Sequence, residues 1–115
     1  MKIDEFKKRL EDKCRELNFP QPRVVRQGFS FINVEIRMKS EVSIEIYFNE
    51  ETQSLTSALL VQDKRVFGIN GYPRKGTWHM HPFERVEEHV KINPMQIEQI
   101  LEEYAEVLHQ LSDTI

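Results

Sequence analysis

Hydrophobic positions divide the chain into two kinds of pattern. Near the start, Ile3, Phe6, Leu10, Cys14 and Leu17 recur at steps of three and four. That spacing stacks them on one stripe and predicts an amphipathic helix over residues 3–18, ended by the prolines of NFPQP at 18–22. The pattern then changes to alternation. Ile32, Val34, Ile36 and Met38 share one face of FSFINVEIRM, and Val42, Ile44, Ile46 and Phe48 share one face of EVSIEIYF. Pairing Met38 with Val42 across a three-residue turn puts both apolar sets on the same side. The same register sets Glu35 opposite Glu45 on the other face, with Arg37 as the nearby cation and solvent as the expected surround.

A second hairpin is expected from SLTSALLVQ and RVFGING, turning at Asp63-Lys64. Its apolar residues read as Ala58, Leu60, Phe67 and Ile69 on one face and Leu59, Val61 and Val66 on the other. Such a pair is covered on both sides or buried against a partner. Toward the end, Ile97, Ile100, Leu101, Tyr104, Val107, Leu108 and Leu111 form a wide helical stripe. Asn93 is placed to cap that helix, Pro94 to occupy its first position and Gln96 to complete a capping box. The expectation is one α+β domain over residues 1–115: an N-terminal helix, an antiparallel sheet of four or five strands, and a C-terminal helix packed on the sheet.

Composition narrows the classes. A length of 115 residues suits one modest core, and a formal net charge of -3 does not favour broad nucleic-acid binding. Cys14 is the single cysteine, which rules out an internal disulfide and fits a reducing compartment. Its place on the apolar stripe marks it as a core thiol rather than a nucleophile. The first residues lack the apolar run of a signal peptide, and no run approaches a membrane span, so a soluble cytoplasmic protein is expected. Charge is unevenly distributed, however. Residues 64–85 carry a formal +4 and residues 86–115 a formal -6. The basic segment surrounds the histidines and suits an anionic ligand such as a phosphate backbone.

That segment overlaps KGTWHMHPFERVEEHV, residues 75–90, with His79 and His81 inside the basic stretch and His89 just beyond it. In extended chain His79 and His81 point to one face, roughly 7 Å apart at ~3.3 Å per residue. Two chemistries fit. Both imidazoles can ligate one Zn²⁺, with His89, Glu84 or Glu88 as a third ligand. Alternatively they act as base and acid in phosphodiester cleavage, one taking the 2′-hydroxyl proton and the other protonating the leaving oxygen. In that scheme Arg74, Lys75 or Arg85 would stabilise the charged phosphate, and Tyr72 or Trp78 would stack a base. GYPRKG reads as a loop between glycines, and His109 as a partly exposed residue of the last helix.

The run RVFGINGYPRKGTWHMHPFERVEEHV, followed by NPMQIEQILEE, resembles the TumE-like family of toxin–antitoxin proteins over about residues 64–108. Asn70 matches that family's turn asparagine, Lys75-Gly76 its loop, and His79 and His81 its paired histidines. Glu84, Glu87 or Glu88 match its acidic positions, and His89 its trailing histidine. Ile69 and Trp78 stand where the family carries acidic residues. The resemblance implies a toxin neutralised by an antitoxin protein from a neighbouring gene. An endoribonuclease acting through His79 and His81 is then the first expectation. The alternative is a non-catalytic or metal-binding protein-interaction module, with the two-sided hairpin or the acidic last helix as its interface. The apolar hairpin and exposed strand edges make a homodimer a further expectation.

Overall fold

The structure, a computed structural model, describes residues 1–39 and 41–114, the side chains of Asp113 and Thr114 excepted. Helix α1 (Ile3–Glu16) is followed by strands β1 (Arg23–Gln27), β2 (Phe31–Lys39), β3 (Val42–Asn49), β4 (Leu55–Val61), β5 (Lys64–Tyr72), β6 (Thr77–His81) and β7 (Val90–Lys91), then helix α2 (Ile97–Thr114). The strands pair antiparallel in chain order, forming one seven-stranded meander. The α+β class is as expected, but the sheet is wider than four or five strands. β1 escapes a periodicity reading because all five of its residues are exposed and its register shifts between Val24 and Arg26. β7 is only two residues long and gives no pattern of its own.

Both helices cover the same face of the sheet. Phe6 of α1 stacks on Phe48 of β3 at 4.8 Å, and Tyr104 of α2 meets Phe67 of β5 edge-on at 5.1 Å. The helices are tied to each other by Arg9 to Glu98 at 2.7 Å and Lys13 to Glu102 at 2.8 Å. The layer between holds Leu10, Ile32, Ile36, Ile44, Leu59, Ile69, Ile100 and Leu101, all with no exposed surface. Cys14 lies there too, and burial pushes its thiol up to about 11, as befits an unreactive core residue.

The first hairpin keeps the expected register, with Ile36 opposite Ile44 and Glu35 opposite Glu45. A shift beyond Arg37 pairs Lys39, not Met38, with Val42; the expected turn includes Ser40, which lies outside the described residues. Glu35 is not solvated as expected. It is buried between Arg23 at 3.0 Å and Arg37 at 3.1 Å. The second hairpin turns at Gln62-Asp63, one residue earlier than expected, with φ of 52° and 62°. Two left-handed residues in a two-residue loop match the right-handed twist of the strands. A shift between Leu59 and Leu60 then regroups the side chains: Leu59, Phe67 and Ile69 share the helix-covered face, while Ala58 and Leu60 face the other way.

Helix ends also differ from expectation. α1 stops before Pro20, with Asn18 at φ 59° and the Phe19 N–H donating to the Cys14 carbonyl at 2.8 Å. Its start is capped from across the chain, the Ile3 N–H donating to Glu50 Oε1 at 2.9 Å. α2 begins at Ile97 and not at Pro94. The Gln96 N–H donates to Gln99 Oε1 at 2.8 Å, so the capping bond falls three residues later than Asn93 would place it.

Candidate functional site

The face opposite the helices is open, and pairing register lays its side chains out in rows. One row runs from His79 through Asn70, Thr56 and Tyr47 to Asn33. The next runs from His81 through Gly68, Ala58 and Glu45 to Glu35. Alternation along β6 therefore does bring His79 and His81 to one face. The third histidine arrives through the β6–β7 connection. Two successive turns, Arg85 N–H to the Pro82 carbonyl and Glu88 N–H to the Arg85 carbonyl, reverse the chain so that His89 returns beside β6. His79, His81 and His89 each offer a ring nitrogen, and the three nitrogens lie within 4.8 Å of one another. Ring centroids are 5.2 Å apart for His79–His81, 5.1 Å for His79–His89 and 4.4 Å for His81–His89.

Hydrogen bonds fix how the first two rings present their nitrogens. His81 is buried and its Nδ1 lies 2.8 Å from the Val86 carbonyl, which can only accept. Nδ1 therefore carries the proton and Nε2 of the neutral ring keeps a lone pair. Asn70 Oδ1 accepts the Ser57 N–H at 3.1 Å, so its amide nitrogen is the group 3.3 Å from His79 Nε2. That donor occupies the lone pair of His79 Nε2, which is released to a metal or a proton when the Asn70 contact opens. Burial first, then the neighbouring His81, His89 and Arg65, holds His79 below the ordinary imidazole range. Three imidazoles this close repel one another when protonated, and among the described residues no carboxylate joins their cluster.

Such a cluster is chemically versatile. Around a tetrahedral zinc, ligand nitrogens held at ~2.0–2.1 Å stand roughly 3.3 Å apart. The nitrogens now within 4.8 Å of one another would therefore have to draw together, and His79 to exchange its Asn70 contact for the metal. The Val86 carbonyl would then serve as the outer partner that orients a metal-bound imidazole. Free of metal, His79 has the character of a base, with exposed His89 5.1 Å away between ring centres.

The remaining residues expected at the site divide. Tyr72 stacks on His79 at 6.1 Å between centroids, and Lys75 Nζ sits 5.8 Å from the centre of the Tyr72 ring. Both therefore belong to the histidine neighbourhood. Trp78 does not: it pairs with Gly71 and packs on the helix side of the sheet, where only a glycine leaves room for its ring. Arg74, in the 3-10 turn of Pro73–Lys75, donates to the Glu51 carbonyl at 2.7 Å. Arg85 is paired with Glu88 at 2.8 Å in the connection. Glu84 and Glu88 do not join the three histidines as ligands, and Asn70 stands within β5 rather than in a turn.

Arg65 and Lys91 are not marked by motif spacing, and Asn70, marked only as a turn residue, contributes through its amide. Arg65 reaches the site across Gly68, where an added Cβ would lie 3.7 Å from both Arg65 Cδ and His81 Cδ2. Lys91 of β7 stands opposite His79, and the Asn70 amide is held by the Ser57 backbone two strands from the rings. Only strand pairing reveals these. Beside the cluster, a trough of about 300 Å³ crosses the open face, lined by Asn33, Glu45, Tyr47, Thr56, Ala58, Arg65, Asn70 and Tyr72 among others. No known protein family, characterised protein or solved structure matches this chain.

Proposed function

We propose that this chain is an RNA-directed toxin whose working centre is the His79–His81–His89 cluster holding a divalent metal ion, zinc by its all-imidazole donor set. The observation that carries the centre is the convergence of three ring nitrogens within 4.8 Å, with buried His81 anchored through Nδ1. A bound metal would supply charge stabilisation at a phosphoryl oxygen. The chain's own cations, Arg65, Lys75 and Lys91, would draw the phosphate backbone to the same end of the open face. The toxin reading rests on the TumE-like resemblance of residues 64–108. It implies that expression alone arrests growth and that the neighbouring gene's product relieves the arrest.

Metal content is the direct test of the centre. Protein purified without chelator is expected to hold near one zinc per chain, falling to background in His79→Ala/His81→Ala. Absence of zinc as purified, together with no uptake on adding it, would contradict the metal centre.

A second reading keeps RNA as the substrate but needs no metal. It is favoured by the depressed His79 pKa and by the Asn70 contact, which together keep that ring neutral at pH 7. His79 and His81 then form the acid–base pair first expected from the sequence, or exposed His89 serves as the acid in place of buried His81. Cleavage that persists at full rate in EDTA would select this reading over the metal one.

A further inference from the structure

The trough beside the histidines has a chemical polarity of its own. At one end stand the imidazoles with Arg65 and Lys91. At the other stands Glu45, and the floor between is made of Thr56 and Ala58 of β4, because Gly68 is buried beneath Arg65 and His81. Both side chains are short and only partly covered, which leaves a shallow floor on which a flat ring can lie. Tyr47 and Tyr72 both line the trough, offering aromatic surface beside that floor.

Glu45 is the informative residue. It stands directly opposite Glu35, yet the two available arginines, Arg23 and Arg37, both pair with Glu35. Glu45 is exposed and has no hydrogen bond or ion pair among the described residues. Its carboxylate is therefore an acceptor-only group with both oxygens available, on the rim of a polar trough. Among the standard bases, guanine alone presents two adjacent donors, N1–H and the N2 amino group, to one carboxylate. Adenine and cytosine offer one exocyclic amino group beside a ring acceptor. Uracil offers one N–H between two carbonyls that a carboxylate repels.

We infer that the trough between the histidine cluster and Glu45 binds a guanine nucleotide of RNA. The base lies over Thr56 and Ala58, its N1–H and N2–H donate to Glu45, and its phosphate lies at the cationic histidine end. From His81 to Glu45 is three strand spacings, about 14 Å at ~4.7–4.9 Å each. A nucleotide measured from its Watson–Crick edge to its phosphate bridges that span once the reach of both side chains is counted. The acid at one end and the cations at the other also orient it, because a phosphate placed beside Glu45 would be repelled. Exposed single-stranded RNA presents its bases to proteins in this way, by edge hydrogen bonding and aromatic stacking. The assignment rests on the RNA reading above for its biological meaning, but it is tested by binding alone.

Binding of GMP, AMP, CMP and UMP to the whole protein would be followed by NMR shift changes of the trough residues. GMP is expected to bind about tenfold or more tightly than the other three, the selectivity of one good bidentate pair. Glu45→Gln, at an exposed position that does not support the core, should lose that preference while keeping weak binding of all four. Ala58→Tyr, which fills the floor, should weaken all four. Equal affinities in the natural protein, or a guanine preference that survives Glu45→Gln, would overturn the inference. Selective GMP binding without RNA cleavage would leave it standing and remove the ribonuclease reading. Cleavage without preference for guanosine sites would do the reverse.

Discussion

At the scale of single residues, the open face is organised by which charges find partners. Glu35 and Glu45 oppose each other, and only Glu35 is neutralised. Its hydrogen bond from Arg23, supported by Arg37, holds its carboxyl below the usual glutamate range. A depressed folded pKa means that the unfolded chain takes up the proton first as pH falls. The contribution is therefore fully present above the unfolded value of ~4.3 and is lost as pH drops through the lower folded value. Glu35→Gln should lower stability at pH 7 by about 1 kcal/mol, both arginines being largely exposed, and should flatten the acid limb of the pH–stability curve. Urea melts at pH 7 and pH 3 would show it, and an unchanged acid limb would contradict the assignment. Asn70 gives a second prediction. In Asn70→Ala the His79 ring should lose its fixed Nδ1–H tautomer, visible in its imidazole ¹⁵N shifts, while His81 keeps its own through Val86. The pairing of His79 with His81 was legible from spacing alone. The Asn70 contact was not, because it depends on which residue of β5 lies opposite His79.

At the scale of elements, local rules were most reliable where a segment sets its own pattern. The α1 stripe and the β2–β3 register follow directly from periodicities of 3.6 and 2. Boundaries set by distant partners were not legible. α1 has no side-chain cap at Lys2 and instead takes the Glu50 carboxylate from the β3–β4 turn. Glu50→Ala should therefore cost about 1 kcal/mol in stability, the usual loss for a helix cap, although it lies outside the helix. Thermal unfolding measures this; a melting temperature unchanged within a degree would show that the cap contributes nothing. The shift between Leu59 and Leu60 is another such case. One extra residue in a ladder reverses the facing of everything beyond it, so an apparently two-sided hairpin resolves into one buried face and one open face. That removes the main argument for an apolar hairpin interface. The outer strand β1 carries Arg23, Arg26 and a register shift, devices that discourage edge pairing between copies.

At the scale of the whole molecule, two helices on one face leave the other to function. No helix among the described residues is long and apolar enough to cross a membrane. The covered side is joined to the open side through β4. Tyr104 of α2 donates to Ser57 Oγ at 2.7 Å, and the backbone N–H of the same Ser57 holds Asn70 against His79. Tyr104→Phe should lower stability by about 1 kcal/mol through that one lost bond. Cleavage should be unaffected, because the Ser57 backbone keeps its place in the ladder. The basic segment and its histidines were legible in the sequence as a cluster of residue types. The trough was not, since Glu45, Ala58 and Asn70 come from three separate strands and meet only through the meander. The central claim is that the three histidines form the site that acts on RNA. Cleavage of a single-stranded RNA by the purified protein, compared with His79→Ala, His81→Ala and His89→Ala variants that retain the natural fold by circular dichroism, tests it most directly. The account predicts cleavage by the natural protein and a loss of about 100-fold or more in each variant. RNA left intact by the natural protein with zinc supplied and with metal removed, or cleavage undiminished in all three variants, would contradict it.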